Sequence, residues 1–280
     1  MPELPEVETI RSFLSNHILG NTIADIETIK TSQFHGSKED ATGASIIEVM
    51  RKGKVLALKL SNGLYLSIHL KMSGQVLYAA KKENAVYKNI IPFTGKMSLP
   101  ASTTRIIISF RDGSALFYND LRRFGWVKVS KEPHVPGGID VFSKQFTSEA
   151  FQSLFDKPTK RAIKVWLLDQ DKLAGIGNIY ANDALFLAGI LPTRSVSSLS
   201  KQEITSLFEA INQVIAEGVK RRGSSSRDEV YVTPDGTGGE YQNYFKVYHR
   251  EGEACVQCKT KIIRIKHGGR SSFYCPQCQR

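Results

Sequence analysis

CVQCKTKIIRIKHGGRSSFYCPQC, residues 255–278, holds all four cysteines of a 280-residue chain. They fall into two pairs, Cys255-x-x-Cys258 and Cys275-x-x-Cys278, with sixteen residues between them. That spacing reads as a zinc site. Each pair folds over a tight turn, and four thiolates close a tetrahedral shell with no open position, so one zinc ion is expected in a structural role. Ile262, Ile263, Ile265 and the pair Phe273-Tyr274 suggest the two strands of a hairpin, with Lys266, His267 and Arg270 at its tip. Two disulfides are the competing arrangement. The N-terminus lacks a basic segment followed by an apolar stretch, so no export signal is expected, and zinc is favoured.

The hairpin is also strongly basic. Between Lys246 and Arg280 eight Lys and Arg stand against Glu251 and Glu253, which is more than half of the chain's net charge of +11. Such a skew points to a polyanionic partner, nucleic acid above all. Hydrophobic content of 41% and charged content of 23% are those of a globular protein, and the apolar runs are too short and too interrupted to span a membrane.

Upstream of the hairpin the apolar period is helical. Ser200 and Glu203 read as a capping box with Leu199 and Ile204 as its staple. Ile204, Leu207, Phe208, Ile211, Val214, Ile215 and Val219 form one core-facing stripe that Gly223 ends. Between Ala162 and Pro192 a helix, the turn Gly175-Ile176-Gly177-Asn178 and a second helix from about Ile179 to Ala188 are expected. Backbone N–H groups at such a helix start can hold a phosphate, Asn178 can add a contact, and Lys160, Arg161 and Lys164 supply cations nearby. Residues 224–240, Ser-rich and then Gly-rich, read as a loop.

Residues 20–130 change to strand patterning. Ile23–Ile29, Ile46–Met50, Val55–Leu60, Leu64–His69, Gln75–Tyr78, Thr104–Phe110, Ala115–Tyr118 and Trp126–Val129 are short apolar or alternating runs. Asn62-Gly63 and Asp112-Gly113 fit tight hairpin turns. Strands in this succession predict an antiparallel sandwich or a flattened barrel. Residues 81–103 read as a long loop, and Lys131 to Gly138 as an interdomain linker.

The chain opens Met1-Pro2-Glu3-Leu4-Pro5-Glu6-Val7-Glu8. Removal of Met1 would leave Pro2 with a free secondary amine, and an α-amino group titrating near ~7.7–8.0 is partly neutral at physiological pH. Attack by that amine on a carbonyl-level carbon gives an iminium with no N–H to lose, a permanent electron sink. Glu3, Glu6 and Glu8 are within reach for acid–base work. Pro5 suits the first turn of a helix, and Val7, Ile10, Phe13 and Leu14 repeat at helical spacing. By itself the stretch also reads as an ordinary acidic helix start.

Taken together, PELPEVE at 2–8, RKGKVL at 51–56, HLKMSG at 69–74, DLRRFG at 120–125, GIGNIYANDALFLAGILP at 175–192 and HGGRSSFYC at 267–275 resemble the formamidopyrimidine-DNA glycosylase family, the bacterial Fpg/MutM enzymes, over essentially the whole chain. The resemblance implies an α+β multidomain protein. An N-terminal antiparallel β-sandwich flanked by helices would span 1–135, a helix-two-turn-helix domain 145–223, and a β-hairpin zinc finger 246–280, with duplex DNA in the cleft between the domains. It implies a glycosylase and AP lyase for 8-oxoguanine and formamidopyrimidines in base excision repair, monomeric, cytoplasmic and nucleoid-associated.

Carried over by position, Pro2 resembles the nucleophile at C1′, Glu3 the acid that protonates the sugar ring oxygen, and Glu6 a supporting carboxylate. Lys54 resembles the lysine of β-elimination and phosphate contact, and Arg270 the finger arginine of δ-elimination. Lys160 and Asn178 resemble further backbone contacts. Met72, Arg122 and Phe124 match the residues that fill the gap left by an extruded base, for which a thioether, a guanidinium and a ring make a sensible wedge. A DNA contact is expected at Thr103, where family members commonly show a histidine, and Leu121 stands where proline is frequent. Two rivals remain: an endonuclease VIII-type glycosylase for oxidised pyrimidines, whose members tend to begin PEGP, and a non-catalytic zinc-finger DNA-binding protein.

Overall fold

Burial on both faces explains why the strand-rich part of the chain contains continuous apolar runs as well as alternating ones. A computed structural model describes residues 1–83, 85, 98–157, 159–225 and 231–280; the expected loops 81–103 and 224–240 fall partly outside them. The chain divides into two compact units. The first comprises Met1–Val135 with Arg221–Gln242, the second Pro136–Lys220 with Asn243–Arg280.

Among the described residues of the first unit a helix, α1 (Leu4–His17), precedes nine strands. They are β1 (Ile23–Thr28), β2 (Phe34–His35), β3 (Ile46–Lys52), β4 (Val55–Leu60), β5 (Tyr65–His69), β6 (Gly74–Ala79), β7 (Thr104–Phe110), β8 (Ala115–Asp120) and β9 (Trp126–Ser130). One sheet runs β1-β7-β8-β6 and the other β2-β9-β5-β4-β3, and together they make a β-sandwich. Every pairing is antiparallel except that of β2 with β9. This departs from the purely antiparallel expectation: β2 is two residues long, too short to show a period.

Ile106, Ile108, Phe110, Leu116 and Tyr118 face Leu58, Leu66, Ile68 and Val127 of the other sheet, and Val7, Ile10 and Leu14 of α1 join that cluster. The intervening Ile107, Ala115 and Phe117 point the other way and pack with Leu99, Ala101 and Val232. Two-sided burial therefore erases the polar half of the period-two pattern in β7 and β8. Gly63 (φ +83°) and Gly113 (φ +88°) supply the left-handed turn positions that join β4 to β5 and β7 to β8.

The second unit holds β10 (Ile139–Asp140), α2 (Ser148–Ser153), α3 (Ile163–Leu167), β11 (Leu173–Ala174), α4 (Asn178–Leu187), α5 (Lys201–Lys220) and the hairpin β12 (Ile263–His267) with β13 (Arg270–Tyr274). α3, the turn Gly175-Ile176-Gly177 and α4 make up its helix-two-turn-helix region. The capping box of α5 forms: Ser200 N donates to Glu203 Oε2 at 2.8 Å, and Glu203 N to Ser200 Oγ at 3.2 Å. Phe146, Phe151 and Phe208 stack edge-on or tilted with centroids 5.0 to 6.0 Å apart, welding α2 to α5. The hairpin is pinned to α4 by buried polar groups. Phe273 N donates to Asn182 Oδ1 at 2.8 Å, and the buried Asp183 carboxylate accepts from the backbone N–H groups of Lys246, Val247 and Tyr248. Among the described residues no helix is long and apolar enough to cross a membrane.

Candidate active site and nucleic-acid interface

The amino terminus is held as a machined feature rather than as a loose end. Pro2, Glu3 and Glu6 are buried. Glu3 is the N-cap of α1 in an extended conformation, and a capping box joins it to Glu6. Glu6 uses both oxygens: Oε2 accepts from Glu3 N at 2.8 Å, and Oε1 from Ser224 N at 2.7 Å. Gly223 is required at this approach. Its φ is +78°, and a Cβ there would lie 2.7 Å from Glu6 Cγ and Oε1. Tyr231 lies buried nearby; burial, and secondly the Glu6 carboxylate, push its hydroxyl well above the usual phenol range. Glu8 differs from the other two. It accepts from Arg51 Nε at 2.8 Å and Arg11 Nε at 2.7 Å, so it is committed to tying α1 to β3, and Glu3 and Glu6 are left as the carboxylates beside Pro2.

Lys54 lies in the tight turn between β3 and β4, next to Gly53 (φ +58°), and is only 5% exposed. Across the β4–β5 ladder, His69 faces Val55. Its Nδ1 accepts the Lys71 N–H at 3.0 Å. Burial first, then the charges of Lys71 and Lys54, depress its pKa to about 3. The ring is therefore neutral with its proton on Nε2, a fixed donor. Sequence reading passed over His69; its place at the head of HLKMSG, close to two lysines, was the available signal.

Met72 and Phe124 are 40% and 56% exposed, large apolar groups standing out from the surface, and Arg122 is exposed beside them. The Arg122 guanidinium carbon lies 5.1 Å from the centre of the Phe124 ring, a cation–π contact. Neither apolar side chain is part of the core. Thr103 differs from its expectation. It is 5% exposed, its hydroxyl is enclosed, and its carbonyl accepts Asp120 N at 2.9 Å. Arg105 is likewise turned inward, donating to the carbonyls of Asp120, Ser102 and Thr104.

In the second unit Asn178 begins α4 after the N-cap Gly177, and its Oδ1 is buried without a hydrogen-bond partner. Lys160 is exposed. The two cations expected beside it are otherwise engaged: Arg161 pairs with Asp169 at 2.9 Å, and Lys164 is 1% exposed. Lys164 Nζ donates to Ser271 O at 2.6 Å and Ser272 Oγ at 2.8 Å, so it braces the hairpin. The tip packs close as well, since a Cβ on Gly268 would lie 2.6 Å from Val165 Cγ2. Arg270 is exposed at the first position of β13, opposite His267.

The Sγ atoms of Cys255, Cys258, Cys275 and Cys278 all lie within 4.8 Å of one another. Cys255–Cys278 and Cys258–Cys275 are 3.9 Å and 3.4 Å apart. A tetrahedral zinc with bonds of about 2.3 Å sets its sulfurs ~3.8 Å apart. The donor set fits one structural zinc ion, which these four thiolates would hold with no ligand position left for chemistry.

Three family profiles match the chain: the formamidopyrimidine-DNA glycosylase N-terminal domain over residues 1–127, its H2TH domain over 138–230, and the zinc finger found in FPG and IleRS over 252–280. The chain is 36% identical over 292 residues to formamidopyrimidine-DNA glycosylase of Pelotomaculum thermopropionicum, covering 100% of this chain and 99% of that one. It is 38% identical over 285 residues to the enzyme of Carboxydothermus hydrogenoformans, with both covered in full. The crystal structure of MutM (Fpg) from Thermus thermophilus superimposes with a TM-score of 0.85 at 34% identity, over 99% of this chain and 98% of that one. Lactococcus lactis Fpg in complex with DNA containing an abasic site gives 0.85 at 29% identity over all of both chains. On these matches and this geometry, the chain belongs to the formamidopyrimidine-DNA glycosylase family.

Proposed function

We propose that this chain is a bifunctional DNA glycosylase and AP lyase that removes 8-oxoguanine and formamidopyrimidines from duplex DNA and then cuts the strand. The observation that carries the reading is the terminus itself, where Pro2 and Glu3 are held at the start of α1 by a carboxylate bonded on both sides. With Met1 removed, the Pro2 nitrogen attacks C1′ of the extruded nucleotide as the glycosidic bond breaks and its electron pair leaves with the base. Glu3 protonates the ring oxygen as the sugar opens, giving an iminium. Loss of the C2′ proton then expels the 3′ phosphate, and loss of the C4′ proton the 5′ phosphate. Zinc takes no part in these steps; when bound it holds the hairpin that carries Arg270.

Met72, Arg122 and Phe124 fill the gap left by the extruded base. Lys54 and Arg270 serve phosphate contact and elimination, and His69, Lys160 and the N–H groups at Asn178 supply further donors to the backbone. Thr103, buried with its hydroxyl enclosed, is assigned to packing in place of the contact expected from its position. Reaction as a monomer in the bacterial cytoplasm follows from the same reading. The test is a set of duplexes carrying 8-oxoguanine, a formamidopyrimidine or an oxidised pyrimidine, each reacted with and without borohydride. Excision and covalent trapping should favour the two purine lesions. Preference for the pyrimidine would place the chain with the endonuclease VIII type, and binding without excision of any lesion would leave only a DNA-binding protein.

A further inference from the structure

We propose that Asp120 is the positioning residue of the wedge, holding the loop of Met72 and the loop of Arg122 and Phe124 in fixed register; this rests on the reading of those three side chains given above. Asp120 ends β8 and is 0% exposed. Its carboxylate serves two different loops. Oδ1 accepts the hydroxyl of Ser73 at 2.5 Å, in the loop that carries Met72. Oδ2 accepts Gly125 N at 2.8 Å, in the loop that carries Arg122 and Phe124, and also Gln33 Nε2 at 2.9 Å. Gln33 Nε2 in turn reaches the Gly125 carbonyl at 2.9 Å. Ser73 closes the circuit, because its Oγ accepts the Arg122 N–H at 2.9 Å.

Each loop is also bounded by a glycine with no room for a side chain. A Cβ on Gly74 would lie 2.5 Å from Leu70 O. One on Gly125 would lie 1.9 Å from Tyr118 Oη and 2.6 Å from His69 O. The backbone inside the loops is held in unusual places, with Lys71 at φ +48° and Arg123 at φ +59°, positions that persist only where surroundings over-determine them. The exposed side chains thus stand on a buried base in which one carboxylate bonds to both loops. A wedge that enters stacked bases must not yield when the stack pushes back, and a carboxylate with charge-assisted bonds to both loops supplies that stiffness.

The test compares Ser73→Ala, Asp120→Asn and Phe124→Ala, singly and with Phe124→Ala added to each of the first two. Single-turnover excision from a duplex with 8-oxoguanine opposite cytosine is read against nicking of a pre-formed abasic site. Ser73→Ala deletes one atom and cuts the circuit at both loops, so lesion excision should fall about tenfold, the scale of a lost charge-assisted bond, with nicking much less affected. Asp120→Asn can keep its oxygen toward Gly125 and Gln33 and should fall less than Ser73→Ala. In the Phe124→Ala background Ser73→Ala should add less than about twofold, because the wedge it positions is already gone. Equal losses on both substrates, or full additivity with Phe124→Ala, would overturn the proposal, as would parental excision by Ser73→Ala. If Phe124→Ala alone slows both substrates equally, the wedge reading is the part that fails. Thermal midpoints of all variants separate these outcomes from loss of fold, and Ser73→Ala decides if Asp120→Asn does not fold.

Discussion

Replacing Glu6 by glutamine keeps the shape of the side chain and removes one acceptor. The carboxylate is fully buried and takes an N–H on each oxygen, from Glu3 at 2.8 Å and from Ser224 at 2.7 Å. An amide can be turned either way, and in both its NH₂ faces one of those donors. A buried donor left unsatisfied costs about 1–3 kcal/mol. Losing a charge in the first turn of α1 removes a further ~0.3–1 kcal/mol of interaction with the helix dipole. Gly223 packs so close that even a Cβ there would lie 2.7 Å from Glu6 Cγ and Oε1, which leaves the amide little room to turn away. The sum is about 1–4 kcal/mol, which for a unit of this size lowers the unfolding midpoint by roughly 3–16 °C. Lesion excision should fall more than denaturation alone explains, because the side chain sets Glu3 and the segment at Ser224 together. Calorimetry combined with single-turnover excision at a temperature where both proteins are folded makes the comparison. A Glu6→Gln protein that unfolds with the parent and excises 8-oxoguanine at the parental rate would refute the reasoning.

Cys258→Ser should lower zinc from one per chain to well below it and abolish protection of the β12–β13 amides, measured by metal analysis and hydrogen exchange. Lys164→Met keeps the aliphatic stem but removes the buried ammonium from Ser271 O and Ser272 Oγ; hairpin amides should exchange about tenfold faster while zinc stays bound. His69 is neutral in the folded state with its pKa depressed to about 3, whereas an unfolded histidine titrates near ~6.5. The unfolded chain therefore binds the extra proton between these values. The stability due to neutral His69 is complete above about pH 6.5 and is lost as pH falls toward about 3, so between pH 7.5 and 5 the parent should lose more stability than His69→Gln in denaturant titrations.

What the sequence made legible were features in which one segment carries its own instructions. The cysteine pairs, the capping box at Ser200 and Glu203, and the turns at Asn62-Gly63 and Asp112-Gly113 all act within a few residues. Other features depend on partners far away in the chain. Glu6 and Ser224 are separated by 218 positions, and nothing local at either end announces the bond. Lys164 reads as a surface cation because α3 is only five residues long and shows no period; its burial is decided by the hairpin 107 residues later. Met72 and Phe124 carry the opposite lesson. By composition they are core residues, and only the motifs around them pointed to the exposed positions they hold.

In the proposed reaction the Pro2 nitrogen forms the covalent bond to the sugar. The direct measurement is mass spectrometry of the borohydride-trapped complex with an 8-oxoguanine duplex, after digestion of the DNA and cleavage of the protein with trypsin. Cleavage after Arg11 releases the peptide Pro2–Arg11. If Pro2 is the nucleophile, this peptide lacks Met1 and carries the added sugar mass on its first residue. The same mass found on Lys54 or any other lysine, with Pro2 unmodified, would contradict it.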